Sequence, residues 1–241
     1  MLADFVQGIK ELAFPDKCVL CRAFLDSRHQ RQLCPACLKT IQSNVPPFCA
    51  LCSRHLKEYS DDSLCSVCRG QARSYDRAWG ACLYEETMRK LLHLFKYGGK
   101  TALRKTFLNL MTEFIDTYHL PLEQFDMVTP IPLHSARLRE RGFNQAQLLS
   151  EGLCRHTHLT HRPQILVRTR ATDTQTILDQ KQRWTNLKGA FKMSPSQSVG
   201  DKAVLLVDDL LTTGATAVAA AETLKEAGAA YVGVLTLAIT K

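Results

Sequence analysis

Two adjacent carboxylates follow a run of apolar residues in the last fifth of the sequence. Residues 203–207 are continuously apolar, which predicts a strand covered on both faces, and Asp208 and Asp209 come directly after it. Open α/β sheets bind ligands at the carboxyl ends of their strands. We therefore expect the pair to accept hydrogen bonds from two sugar hydroxyls, with a metal ion as the alternative ligand. An acidic pair can also merely cap a helix or satisfy a turn.

A turn of small residues follows the acidic pair and predicts an anion-binding loop. An alanine-rich helix is predicted at 215–227 and stops at Gly228, so the turn supplies the start of that helix. Backbone amides, threonine hydroxyls and the helix N-terminus can together bind a phosphate. The candidate phosphate-binding residues are Thr212, Thr213, Gly214, Ala215 and Thr216. Neither a P-loop motif nor a strand-linked Gly-x-Gly-x-x-Gly occurs, which excludes those two nucleotide-binding classes.

Eight of the ten cysteines lie before residue 70, in four Cys-x-x-Cys pairs. Each half of this segment has two pairs separated by twelve residues, a spacing typical of structural zinc sites. The predicted ligands of two Zn²⁺ ions are Cys18, Cys21, Cys34 and Cys37, then Cys49, Cys52, Cys65 and Cys68. Pairing by sequence neighbours is our choice over crossed pairing. Disulfides are the competing interpretation, which a reducing compartment disfavours.

Basic residues cluster after a predicted short strand at 127–129 that ends in Pro-Ile-Pro. Arg137, Arg139 and Arg141 are expected to bind either a pyrophosphate group or the backbone of DNA, and the net charge of +8 favours polyanionic partners. Phe143 can stack on a base, but a place in the core is the favoured interpretation. The remaining cysteines, Cys82 and Cys154, are expected to be small buried apolar residues.

The elements that position these residues form two unequal parts. Composition changes near residues 73–77, which predicts a cysteine-rich domain at 1–74 and an α/β domain at 75–241. Strands are predicted at 79–84, 127–129, 165–167, 203–207 and 231–239, the last closing the sheet, and helices at 86–97, 101–118 and 142–155. Residues 168–189 are polar and poorly periodic, which predicts a long mobile loop.

No targeting or membrane segment is expected. Residues 1–14 carry charges and lack the apolar stretch of a signal peptide, and no apolar run is long enough to span a membrane. A cytoplasmic protein is therefore expected.

Residues 204–216 closely resemble the signature by which type I phosphoribosyltransferases bind 5-phosphoribosyl-1-pyrophosphate (PRPP). The resemblance implies a parallel sheet flanked by helices, with the acidic pair on the ribose and the loop on the 5-phosphate. It also implies a pyrophosphate loop with Mg²⁺ after the first core strand, where Ile131, Pro132 and Leu133 lie. Arg168, Arg170, Lys181 and Arg183 are expected to close over the pyrophosphate, unless they form a solvated basic loop.

Four further motifs extend the resemblance to the ComF family of competence-associated proteins. They are Phe95-Lys-Tyr-Gly-Gly, Arg141-Gly-Phe-Asn-Gln, Arg168-x-Arg-x-Thr-x-x-Gln175 and Arg183-x-x-Asn-Leu-Lys-Gly-Ala-Phe191. With the paired cysteines they cover nearly the whole chain. Membership implies a role in natural transformation, with binding of PRPP, single-stranded DNA and possible competence or DNA-processing proteins.

Two other functions remain open from the sequence. One is an active Mg²⁺-dependent phosphoribosyltransferase in nucleotide salvage or modification, and the other is a binding module that has kept the pocket without turnover. The intact acidic pair and threonine loop favour a working ligand site. The absence of an identifiable general base and of an acceptor pocket weakens the enzymatic interpretation.

Overall fold

The computed structural model describes residues 17–25, 32–56, 63–70, 73–170, 187 and 189–241. Its helices are α1 (Pro35–Lys39), α2 (Ser66–Arg69), α3 (Glu86–Tyr97), α4 (Leu103–Thr117), α5 (Ser135–Arg141), α6 (Gln145–Thr157) and α7 (Ala215–Glu226). Its strands are β1 (Arg77–Leu83), β2 (Met127–Pro130), β3 (Thr160–His161), β4 (Leu166–Arg168), β5 (Phe191–Met193), β6 (Ala203–Leu211) and β7 (Tyr231–Ile239). A 3-10 turn lies at Leu122–Gln124.

A five-stranded sheet in the order β1-β7-β6-β2-β3 forms the centre of the molecule. Every neighbouring pair in this sheet is parallel. β6 and β7 are interior strands and are covered on both faces, which explains their continuous apolar sequences. The predicted α/β architecture, a parallel sheet flanked by helices, is confirmed.

The two faces of the sheet carry different helices. On one face α3, α4 and α6 bury Phe95, Phe107 and Leu149 against Leu205 and Val207 of β6. On the other face α7 packs its alanines against the alternate β6 residues, and the separate antiparallel pair β4 and β5 joins the same cluster. Because successive side chains of a strand point to opposite faces, one continuous apolar run serves both layers.

The cysteine-rich part is docked along the free edge of β1. Backbone amides of β1 donate to the preceding segment, from Ala78 to the Leu51 carbonyl (2.8 Å) and from Leu83 to the Gln42 carbonyl (2.8 Å). The buried Asn44 side chain donates to the carbonyls of Ser53 (2.8 Å) and Gly80 (2.9 Å). An unpaired edge strand would leave a row of backbone groups exposed, and this docking satisfies part of that row.

Several predicted elements differ in their bounds. β6 continues through the acidic pair to Leu211 because its ladder with β7 extends to the Leu211–Ile239 pair. The helix predicted at 142–155 begins at Gln145, since Gly142 in a left-handed conformation ends the separate helix α5. β7 does not close the sheet but lies between β1 and β6. The strand predicted at 165–167 belongs to the antiparallel pair, and most of the predicted mobile loop lies outside the described residues.

Candidate functional site

A cleft of about 530 Å³ opens at the carboxyl ends of β2 and β6. The chain leaves β2 through α6 toward β3 on one side and leaves β6 through α7 toward β7 on the other. Two connections that diverge from adjacent parallel strands leave a crevice between them, the usual ligand site of an open α/β sheet. The volume lies within the range of small-molecule pockets.

Residues 212–214 form the tight turn between β6 and α7. Gly214 is the residue before α7 and has φ of +83°, a left-handed conformation that favours glycine. The hydroxyl oxygen of Thr213 accepts a hydrogen bond from the Ala215 amide at 3.3 Å. The amides of Thr213 and Gly214 donate to no other residue in the described part of the chain. They remain available to an anion in the cleft.

The two aspartates at the end of β6 have different partners. Asp209 is buried, forms an ion pair with Lys96 of α3, and accepts a 3.4 Å hydrogen bond from the Gln145 side chain. Asp208 keeps part of its surface in the cleft, and one of its oxygens accepts the Asp209 backbone amide at 2.8 Å. One carboxylate is thus neutralised by the protein, while the other faces the space where a ligand would lie.

These partners shift the two pKa values in opposite directions. Burial raises the pKa of the Asp208 carboxyl to about 8, and the neighbouring Asp209 charge acts in the same direction. Burial would also raise the pKa of Asp209, but the Lys96 ammonium holds it below its usual range. For Lys96, burial opposes the charged form, and the attraction of Asp209 raises its pKa above the ordinary value. A titrating carboxyl in a cleft is typical of functional sites.

Cationic side chains outnumber acidic ones in the cleft. Five Lys or Arg side chains line the cleft against the two aspartates, and they are Arg89, Lys96, Arg137, Arg141 and Arg168. Burial and the nearby charge of Arg137 lower the pKa of Arg168. Arg141 also lies over the ring of Tyr97 at 4.9 Å and donates to the Gln145 side chain at 2.6 Å. An anionic group bound among these cations would relieve their mutual repulsion.

The structure brings most of the predicted ligand residues to this one cleft. Both aspartates and all five residues of the predicted phosphate loop line it, together with Ile131, Pro132, Leu133, Arg137, Arg141 and Arg168. Arg139 and Arg170 are exposed and do not line it. Lys181 and Arg183 lie outside the described residues.

The sequence did not predict that residues of α3 line the cleft. Arg89, His93 and Lys96 all line it and follow one another at helical spacing beside the apolar stripe of α3. Three cationic or titratable residues at i, i+4 and i+7 lie on one helical face, and that spacing was the available indication. Lys96 was recognised only as part of a motif.

The cysteines form two compact clusters, each made by consecutive pairs. In the first (Cys18, Cys21, Cys34, Cys37) and the second (Cys49, Cys52, Cys65, Cys68) the four sulfur atoms all lie within 4.8 Å of one another. The sulfur atoms of Cys21 and Cys34 are 3.6 Å apart. Four thiolates around Zn²⁺ at about 2.3 Å would be roughly 3.8 Å from each other, so each cluster fits one structural zinc ion.

Cys82, Cys154 and Phe143 pack in the core. Cys82 is fully buried, and burial raises the pKa of its thiol to about 12. Cys154 is partly buried against the same core, and burial raises the pKa of its thiol to about 11. The Phe143 ring lies 5.6 Å from that of Phe95 within the core cluster. This packing agrees with the prediction that the two cysteines are small buried apolar residues and that Phe143 lies in the core.

Within the described residues, no helix combines the length and apolar character needed to cross a membrane.

Comparison with known proteins identifies both parts of the chain. Residues 9–69 match the double zinc ribbon domain, and residues 158–241 match the phosphoribosyl transferase domain. Competence protein F of Haemophilus influenzae is 33% identical over 208 residues, covering 84% of this chain and 88% of that protein. DNA utilization protein YhgH of Escherichia coli (29% over 235 residues) covers 95% and 99%, and competence protein ComFC of Bacillus subtilis (29% over 214 residues) covers 87% and 84%.

Proposed function

The chain belongs to the ComF family of competence-associated proteins, and on that premise we propose that it acts in DNA uptake during natural transformation and binds PRPP in its cleft. The observation that carries the PRPP proposal is the convergence of unpaired loop amides, one accessible carboxylate and an excess of cations in one cleft. A sugar that carries phosphate at one end and pyrophosphate at the other matches that set of groups.

The proposed ligand contacts follow from the position of each group. The loop at residues 212–216 binds the 5-phosphate, and the pair Asp208 and Asp209 binds the ribose hydroxyls. Residues 131–133 and Arg168 line the same cleft and are proposed to bind the pyrophosphate. Arg170 and Arg183 are proposed to join them only when the loop that carries them closes. In this assignment a zinc-ribbon domain at 1–74 precedes a ligand-binding domain at 75–241.

Mg²⁺ is proposed to enter with the ligand. Among the described residues the clusters able to hold a metal through three or more side chains are the two cysteine clusters. Asp209 is already paired with Lys96, so Asp208 is the carboxyl group of the pair that is left to meet the ion, and ion binding would release its proton. One carboxylate with pyrophosphate oxygens and water suits Mg²⁺, which prefers few protein ligands beside substrate phosphates. The ion would neutralise charge on the leaving pyrophosphate.

Thermal unfolding with PRPP and Mg²⁺ tests the pocket. At a ligand concentration of 100 times Kd, the melting temperature of the wild type is expected to rise by about 5–10 °C. The double variant Asp208→Asn with Asp209→Asn should lose most of that shift, because the amides no longer accept the sugar hydroxyls as carboxylates do. Asp116→Asn, at an exposed aspartate outside the cleft, is the matched control. No shift in the wild type would reject PRPP binding.

Single-stranded DNA is proposed as the second ligand, because arginines of α5 reach the cleft and the chain carries a net charge of +8. Arg137 and Arg141 line the cleft and Arg139 lies on the exposed side of α5. A strand bound by all three would therefore cross the cleft mouth and compete with PRPP. The three arginines of α5 would contact phosphate groups rather than bases, so the strand would be held without sequence preference.

Fluorescence anisotropy of a labelled oligonucleotide tests the DNA proposal. Affinity should fall steeply with salt, and the variant with Arg137, Arg139 and Arg141 changed to Ala should bind at least tenfold more weakly. Changing Lys90, Arg104 and Arg155 to Ala removes the same charge outside the cleft and should have a smaller effect. Binding that is absent, or insensitive to salt, would exclude this role.

Catalytic transfer of the phosphoribosyl group is the alternative function. The raised pKa of Asp208 favours it, since a carboxyl titrating near neutral pH can exchange a proton with an acceptor. Release of pyrophosphate from PRPP in the presence of candidate bases would establish turnover. PRPP binding without pyrophosphate release would instead indicate the binding module.

A further inference from the structure

We propose that Arg54 and Arg73, which belong to the zinc-ribbon side of the molecule, position the phosphate loop at residues 212–216. The inference rests on the proposed function and concerns how the loop is held ready for the phosphate. Neither arginine lines the cleft. Both act from behind the loop, as positioning residues.

Each arginine donates to a carbonyl of the loop. The Arg54 guanidinium donates to the carbonyl of Thr212, and Arg73 donates to the carbonyl of Thr213 at 2.9 Å. Arg54 and Thr212 are 158 residues apart in the sequence, and Arg73 and Thr213 are 140 residues apart. Two consecutive carbonyls of one turn are therefore held by the part of the chain that carries the cysteines.

Because peptide units are planar and trans, the two arginine contacts also fix the direction of the Thr213 and Gly214 amides. In a trans peptide the N–H points away from the C=O of the same unit. Because the Thr212 carbonyl points to Arg54, the Thr213 amide points in the opposite direction. The Thr213 carbonyl and the Gly214 amide are related in the same way through Arg73. Two amides that donate to no described residue are thus oriented together, as anion binding requires.

The second cysteine cluster (Cys49, Cys52, Cys65, Cys68) fixes the position of the Arg54 backbone. Arg54 lies two residues after Cys52, and its carbonyl accepts the Cys49 amide at 2.8 Å, which closes the turn around the first two ligands. Ser53 in the same turn accepts the Gly80 amide of β1 through its hydroxyl at 2.9 Å. The edge of the sheet therefore restrains the backbone that carries Arg54, and a metal ion bound in the cluster would restrain it further.

The loop lies directly against Arg73. A Cβ at position 214 would lie 3.0 Å from a terminal nitrogen of Arg73 and 3.5 Å from the hydroxyl of Tyr75. Glycine at this position thus allows the close approach as well as the left-handed backbone. Two guanidinium groups beneath the turn also add positive charge behind the phosphate, which strengthens the preference for an anion.

Binding of two partial ligands to the zinc-loaded full chain tests the inference. In Arg54→Ala and in Arg73→Ala, affinity for ribose 5-phosphate is expected to fall about tenfold or more, the cost of a lost charged hydrogen bond. Affinity for inorganic pyrophosphate, which residues 131–133 and Arg168 are proposed to bind, should change less than twofold. Arg54→Lys restores the charge without the forked geometry and should recover only part of the loss. Equal losses for both ligands, or no loss, would overturn the inference.

Hydrogen–deuterium exchange gives a readout that needs no ligand. The Ala215 amide, which donates to the Thr213 hydroxyl, should exchange faster in either alanine variant than in the wild type, while the amides of β7 should not change. Cys65→Ser, which removes a ligand of the second cluster, should have the same local effect, whereas Cys21→Ser in the first cluster should not. Unchanged exchange in the arginine variants would reject the positioning role even if the wild type bound no PRPP. Ribose 5-phosphate binding that is the same in wild type and variants would reject this inference alone.

Discussion

Asp208 and Asp209 are neighbours whose surroundings shift their pKa values in opposite directions. Lys96 and Gln145 both contact Asp209, and burial of Asp208 is not offset by a comparable partner. Two carboxylates this close do not both ionise readily, and the one paired with Lys96 keeps its charge. Partial burial next to the charged Asp209 therefore favours the protonated form of Asp208 in the absence of ligand.

The pH dependence of stability should report this proton. The pKa of Asp208 is about 8 in the folded protein and about 3.9 in an unfolded chain, so the folded state binds the extra proton between those values. The wild type should lose stability as pH rises from about 5 to 9. The lowered pKa of Asp209 acts only at more acidic pH. Relative to the wild type, Asp208→Asn should gain several degrees in melting temperature over this range.

Asp126→Asn is the matched control for that series. The Ala203 amide and then Lys202 lower the pKa of Asp126, so its charge does not change above pH 5. Its offset from the wild type should be constant between pH 5 and 9. A constant offset for Asp208→Asn as well would show that Asp208 is ionised throughout.

At the scale of elements, β7 holds β6 in place by pairing with it and also packs closely against aromatic rings. β7 pairs with β6 along the whole length that leads to the acidic pair. Gly233 in β7 faces two aromatic rings, since a Cβ there would lie 2.3 Å from the Phe125 ring and 3.2 Å from the Trp79 ring. Those rings pack edge to face with centroids 6.2 Å apart. The aromatic pair therefore requires the absence of a side chain in β7.

Gly233→Ala should destabilise the protein by overpacking. Two buried rings have little room to move, so a cost of about 1–3 kcal/mol is expected. For a chain of this size, the melting temperature should fall by roughly 2–12 °C. Gly200→Ala is the control, because the nearest atom to its Cβ would be 3.9 Å away. Equal stability of the two variants would show that the rings yield without cost.

For the whole molecule, the zinc ribbon and the sheet form one continuous structure. Asn44 links them. Its backbone amide donates to the Ala81 carbonyl at 2.9 Å, and its side-chain amide donates to the carbonyls of Ser53 and Gly80. A fully buried side chain that bridges two parts in this way makes their stabilities interdependent. The edge of β1 is closed by the same contacts.

Asn44→Ala should therefore destabilise both parts together. Leaving two buried carbonyls without a donor costs about 2–4 kcal/mol, and unfolding in urea should remain a single transition at a lower midpoint. Asn109→Ala, at an exposed position of α4, should leave the midpoint nearly unchanged. Two separate transitions, with the sheet unaffected, would show that the parts are independent.

Local patterns predicted the chemistry that depends on neighbouring residues. The cysteine spacing led to two four-sulfur clusters, and the apolar run followed by small residues led to a buried strand and a turn with free amides. The interior position of β7 and the separate helix α5 were not predicted. Strand order depends on partners distant in sequence, which periodicity does not report, whereas the end of α5 depends on the local left-handed Gly142.

The sequence alone determined the cysteine clusters and the turn after β6, because thiolate pairs and a glycine-bearing turn need only a few consecutive residues to form. Only the tertiary structure decided which charges meet those atoms. Lys96 reaches Asp209 because α3 packs on the same face of the sheet, and Arg54 reaches Thr212 because the zinc ribbon docks on β1. Such contacts are products of packing between segments far apart in the chain, and no spacing within the sequence encodes them.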